Sequence, residues 1–191
     1  MKNIDFNALA KEAYESAKER GFHTEKHKDG HWFMLVVCEL AEAVEADRKG
    51  RWVENRKEYE RLKRICDEAI HAHLFEIHIK DTVEDELADA VIRLLDYAGM
   101  DGVDIGKRMN EVFDDEEFED YKGYETLKKD DRVFTEKVYE IIQTFMFDSY
   151  IEFFLIDIFE LARSYNVDLM WFIREKLEYN KHRAYLHGKA Y

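Results

Sequence analysis

None of the 191 residues is proline. An average composition would supply about 5%, and proline is the residue that most reliably ends or kinks a helix. The chain is therefore free to run long helices, with its few glycines acting as stops. The first helix reads from about residue 5 to 20, ended by Gly21, and the second from about 31 to 48, ended by Gly50. A long, highly charged helix follows at about 52–79. Asp81 or Thr82 then caps a fourth, whose first turn carries Glu84, Asp85 and Glu86, where acids oppose the helix dipole, and Gly99 ends it. A short helix is expected at about 104–113, and another at about 132–165 with its candidate break near Asp148. The last starts after the cap Asp168 and runs to about Tyr185, while "DDEEFEDYKG" reads as an acidic loop or frayed helix. With no convincing strand, repeat or linker, residues 1–191 are expected to form a single all-α domain, a helical bundle.

Composition narrows the partners. Apolar residues make up 46% and aromatics 14%, which argues against disorder. The formal net charge of −14 disfavours a reader of nucleic acid polymers, which needs a basic footprint. An acidic protein can still take a small phosphate if a metal ion bridges the like charges. Cys38 and Cys66 lie far apart, with no C-x-x-C, so neither a zinc knuckle nor a disulfide framework is indicated. Cys38 reads as a small core residue. The polar, amphipathic start "MKNIDFNALAKEAYESAKER" does not look like a signal peptide, and no apolar run suffices to span a bilayer. No membrane partner and a cytoplasmic location are expected.

One stretch is hard to reconcile with a plain bundle. "WFMLVVC" leads directly into "ELAEAVEADRKG", placing Glu39 and Glu42 on a helix that looks buried. At spacing i, i+3 the two acids lie within about 60° of each other, on a stripe with Trp32, Leu35, Ala43 and Ala46. "EDELADAVIRLLDYAG" repeats the pattern: Glu86 and Asp89 are three apart, Arg93 and Asp96 continue their stripe, and Val83, Leu87, Val91, Leu94 and Leu95 form a packing face. A single such pair is most simply a solvated or salt-bridged face. Two pairs, each beside apolar stretches and small alanines, would bring four carboxylates together if the helices pack antiparallel. Hard divalent cations resolve the resulting repulsion, and oxygen-only ligation suits Mg²⁺ or Mn²⁺, often shared with substrate phosphates.

On these residues the chain resembles the all-α nucleoside triphosphate pyrophosphohydrolases, the MazG-like family, whose hallmark is E-x-x-E on one helix and E-x-x-D on a later one. "LVVCELAEAVEADRKGR" and "VEDELADAVIRLLDYAGMDGVDI" look like the family's helices, over about residues 31–50 and 82–105 and extending to the C-terminal helix. The resemblance implies an all-α fold, obligate homo-oligomers (dimer or tetramer), Mg²⁺, and cleavage of a nucleoside triphosphate (NTP or dNTP) to monophosphate and pyrophosphate. It implies Glu39, Glu42, Glu86 and Asp89 as metal ligands. The chain departs from the pattern at Cys38, where many members have glutamate, and in its longer segments at about 52–79 and 107–160, which read as helical insertions.

Near the C-terminus, Lys176, Asn180 and Arg183 fall on one stripe at i, i+4, i+7. Basic residues there also complement the helix dipole. The K-x-x-x-N-x-x-R stripe looks like the family's substrate-binding helix, which implies phosphate or sugar contact. Trp32 shares the acid stripe and is a candidate to stack on a base. The histidine-rich loop "GFHTEKHKDGHW" is placed to cover a nucleotide, or is simply solvated. His71, His73 and His78 read as surface or interface residues.

The expected chemistry is metal-assisted hydrolysis. Water attacks near the α-phosphorus, with Glu42 beside Glu39 as the candidate base, and Lys176 and Arg183 offset the growing charge. Two alternatives stand beside it. A di-iron carboxylate bundle normally uses two E-x-x-H motifs with two further glutamates, and the chain offers one, Glu68-x-x-His71. A non-catalytic helical scaffold would carry merely solvated acids. The aromatic run at about 141–159, with Phe145, Phe147, Tyr150, Phe153, Phe154 and Phe159, is expected to join an oligomer interface.

Overall fold

The computed structural model describes residues 4–114, 131–148, 150–183 and 185, and the described residues are all-helical with no strand. Helix α1 is Phe6–Glu19, α2 Asp29–Arg48, α3 Arg56–Ile65, α4 His71–His78 and α5 Val83–Asp101. Then come α6 Ile105–Asp114, α7 Phe134–Asp148, α8 Ile151–Ser164 and α9 Leu169–Lys181. None is long and apolar enough to cross a membrane. The acidic stretch at 114–123 lies almost wholly outside the described residues.

Helix α5 is the axis of the bundle. It packs against α1, α2, α8 and α9, and its packing positions Val83, Leu87, Val91, Leu94 and Leu95 are all buried. Helix α2 runs antiparallel to it. Phe33 meets Tyr97 with ring centroids 4.8 Å apart, while at the other end the Val83 N–H donates to the Arg51 carbonyl at 3.0 Å. The Val53 N–H also donates to the Glu84 carboxylate, so the turn after α2 is tied to the start of α5.

Three expected boundaries differ. The helix read at about 52–79 is two helices, α3 and α4, that pack on each other. Cys66 and Asp67 are extended there, and a short 3-10 turn, Glu68–Ile70, starts the return. The aromatic helix breaks between Asp148 and Ile151, close to the expected point, so α8 packs against α7. Gly99 does not end α5, which continues to Gly102 in the left-handed region at φ +69°. Gly99 instead lets α1 come close: a Cβ there would lie 2.5 Å from the Ala10 carbonyl oxygen and 2.7 Å from Tyr14 Cβ. Cys38 is half-buried rather than a core residue.

Candidate metal centre

Antiparallel packing turns two local spacings into one cluster. Carboxylate oxygens of Glu39 and Glu42 on α2 and Glu86 on α5 lie within 4.8 Å of one another. They line a cavity of about 230 Å³ whose wall is completed by α1, the turn before α5, and α9. Glu39 and Glu86 are each 5% exposed, while Glu42 is exposed.

The cluster's electrostatics are uneven. Glu39 accepts a hydrogen bond from Arg93 Nε at 3.0 Å. Burial, then Asp89, raises the Glu39 pKa, and Arg93 opposes them. Burial disfavours the Arg93 cation, but Glu39 and Asp89 outweigh it and raise its pKa. Glu86 has no hydrogen-bond or ion-pair partner among the described residues. Burial, reinforced by Asp85 and Asp89, pushes its carboxyl up to about 9. A buried carboxylate left without a partner is costly. A hard cation touching Glu39, Glu42 and Glu86 would remove that cost, and three oxygens with no nitrogen or sulfur are a donor set for Mg²⁺ or Mn²⁺. The residues therefore fit such an ion.

Asp89, the fourth acid expected, lines the same cavity but has its own cation. The Lys176 ammonium on α9 lies 2.8 Å from Asp89 Oδ2 and 2.7 Å from Asp85 Oδ1. Asp85 is 1% exposed. Its second oxygen, Oδ2, accepts the Asp81 N–H at 3.0 Å, and Asp81 holds the uncommon φ of +62°. Burial raises the Asp85 pKa, to about 6, and Lys176 opposes that rise.

Asn180 and Arg183 also line the cavity. Asn180 Oδ1 is buried without a partner, and Arg183 makes no ion pair among the described residues, its guanidinium lying 5.8 Å from the Tyr179 ring centroid. Arg20, from the end of α1, donates to the Asn180 carbonyl at 3.2 Å and to the Lys181 carbonyl, tying α1 to the end of α9.

Trp32 stands elsewhere. It is 3% exposed, its Nε1 has no partner, and its ring stacks on His23 at 4.8 Å, with His27 and His31 against its edge or face. It does not line the cavity; Phe22 does. The loop after α1 folds inward, so His23 also meets Asp96 of the α5 stripe, Nε2 to Oδ1 at 2.7 Å, both side chains nearly buried. Among the described residues no histidine lines the cavity. His71 lies in a separate crevice between α4 and α9, its Nε2 buried and unpartnered.

Sequence reasoning missed Asp85, Phe22, His23 and Arg20. Asp85 had a sufficient explanation as a first-turn acid, and the others depend on a loop fold that no spacing announces. No family model, curated protein or solved structure matches the chain.

Proposed function

We propose that the protein is a divalent-cation-dependent hydrolase that cleaves a nucleoside triphosphate, NTP or dNTP, to the monophosphate and pyrophosphate, as the MazG-like resemblance implies. The observation that carries this reading is the buried Glu86 carboxylate, without a partner among the described residues, converging with Glu39 and Glu42 in a cavity that also holds Arg183, which makes no ion pair among those residues. When bound, Mg²⁺ (or Mn²⁺) would neutralise phosphate charge and lower the pKa of a water molecule.

The chain's own groups divide the remaining work. Glu42 is the exposed member of the triad and the group placed to accept a proton from the attacking water. Arg93 holds one Glu39 oxygen and so fixes that carboxylate's orientation. Arg183 supplies a guanidinium for phosphate oxygens. Asn180 Oδ1, unpartnered in the wall, suits a sugar hydroxyl. Lys176 contributes positive field from beneath, and Phe22 offers the apolar surface a base or sugar can lie against. Asp89, which the resemblance implies as a fourth metal ligand, lines the cavity beside the triad but pairs with Lys176.

The same reading makes the protein a homo-oligomer, dimer or tetramer, working in the cytoplasm, where its two unpaired half-buried cysteines suit a reducing environment. A di-iron site is less well supported, because no histidine among the described residues lines the cavity.

The test is a panel of ribo- and deoxynucleoside triphosphates assayed for pyrophosphate release with Mg²⁺, using the wild type and Glu39→Gln. Hydrolysis that needs the ion and disappears in the variant is expected. A scaffold would show neither turnover nor ion-dependent stabilisation.

A further inference from the structure

The acids of the cavity are divided between two kinds of cation. Glu39, Glu42 and Glu86 converge with oxygens within 4.8 Å and are open to the cavity. Glu86 is 5% exposed and without a partner among the described residues, which marks this half as built for a ligand. Asp85 and Asp89 instead meet at a single point, and the Lys176 nitrogen occupies it, at 2.7 and 2.8 Å.

Most of that ammonium is engaged. An ammonium has three N–H donors. Two go to Asp85 Oδ1 and Asp89 Oδ2, and the remaining side of the group faces Phe75 and Tyr179, whose ring centroids lie 5.5 and 5.9 Å away. The side chain is 4% exposed, so water does not compete for it. Asp85 is likewise committed at both oxygens, to Lys176 and to the Asp81 N–H. Two-metal hydrolytic sites place their ions about 3.5–4 Å apart and share carboxylates between them. Here the carboxylates that would serve the second ion already share the Lys176 ammonium, which offsets one of their two charges.

We infer that the nucleotide-free protein takes one divalent cation per chain, at Glu39, Glu42 and Glu86, and that the Lys176 ammonium permanently holds the place of a second between Asp85 and Asp89. This inference rests on the proposed reading of the triad as a metal site. It makes Lys176 a resident counter-cation, so direct contact with phosphate belongs to Arg183, which has no carboxylate partner among the described residues.

The test counts Mn²⁺ bound to the nucleotide-free protein by electron paramagnetic resonance, for wild type, Glu86→Gln, Asp89→Asn and Lys176→Gln. Wild type should bind one ion. Glu86→Gln should lose it, with affinity down by more than about tenfold. Asp89→Asn should keep one ion, and Lys176→Gln, which uncovers both aspartates, should take two. Two ions on the wild type, loss of the ion from Asp89→Asn as complete as from Glu86→Gln, or a single ion on folded Lys176→Gln would overturn the inference while leaving the triad a metal site. No ion on the wild type, or an unaffected Glu86→Gln, overturns the triad itself and the inference with it. If Lys176→Gln does not fold, the other three proteins carry the decision.

Discussion

At the scale of single residues, Glu86 is where burial and function pull hardest against each other. In chelator its carboxyl, raised to about 9 from an ordinary 4.5, stays protonated in the folded chain at pH values where the unfolded chain has lost that proton. Stability is then present below about 4.5 and lost as pH rises through 9. Melting temperature in chelator should therefore fall from about pH 6 to about pH 9, and Glu86→Gln should flatten that fall and raise the value near pH 8. A parallel pH profile in the variant would show that Glu86 is not the group responsible. Arg183 and Lys176, equivalent on the sequence stripe, should separate. Arg183→Ala should weaken nucleotide binding or turnover by about 1.5–3 kcal/mol, as for a hydrogen bond to a charged group, with apo melting unchanged. Lys176→Ala leaves Asp85 buried and uncompensated and should cost about 3–5 kcal/mol of stability, read by denaturant unfolding. The triad was legible because i, i+3 spacing survives any packing that brings the two helices together. The division of Asp85 and Asp89 from it was not, since Lys176 comes from 91 residues away.

At the scale of elements, most helices were legible because caps and stops are local. Asp168 accepts from the Trp171 N–H and Thr82 from the Asp85 N–H, as their positions before apolar runs suggested. Gly21 and Gly50 end their helices with positive φ. Gly99 misled because a glycine near a helix end reads as a stop, whereas its use here is tertiary. There α1 approaches α5 closely, with the Ala10 carbonyl 2.5 Å from where a Cβ would stand. The obstacle is backbone, which cannot rotate away. Gly99→Ala should therefore cost about 1–3 kcal/mol, the usual scale for overpacking. Gly30→Ala, in α2 with nothing within 4 Å, should cost nothing. Equal midpoints for both variants in urea would remove the close-approach account of Gly99. The hairpin of α3 and α4 was hidden for a similar reason: nothing in "RICDEAI" is proline or glycine, and the return is made by two extended residues.

At the scale of the whole molecule, charge and apolar surface oppose each other. With a formal net charge of −14, two copies repel at long range, so association has to come from apolar contact at close range. The sequence pointed to the aromatic run for that contact, and the structure divides the run. Phe145, Phe154 and Phe159 are buried within the chain, Phe145 stacking on Phe154 at 4.1 Å. Tyr150 and Phe153 remain 55% and 43% exposed, and on α7 Tyr139 and Met146, seven residues apart on one stripe, are 66% and 69% exposed. These four exposed large side chains are the candidates for the contact on which the proposed homo-oligomer would form. Light scattering at micromolar concentration should then give a dimer or tetramer mass. The double variant Met146→Glu, Phe153→Glu should shift it to the monomer without loss of helix content by circular dichroism, because neither residue belongs to the core. Salt supplies the independent check. Screening shortens the reach of the net charge, with a Debye length of about 10 Å at 0.1 M and about 3 Å at 1 M. Added salt should therefore strengthen the wild-type assembly and leave the variant monomeric. A monomer mass for the wild type at every salt concentration would leave these side chains without a partner of their own kind and remove the oligomer from the functional reading.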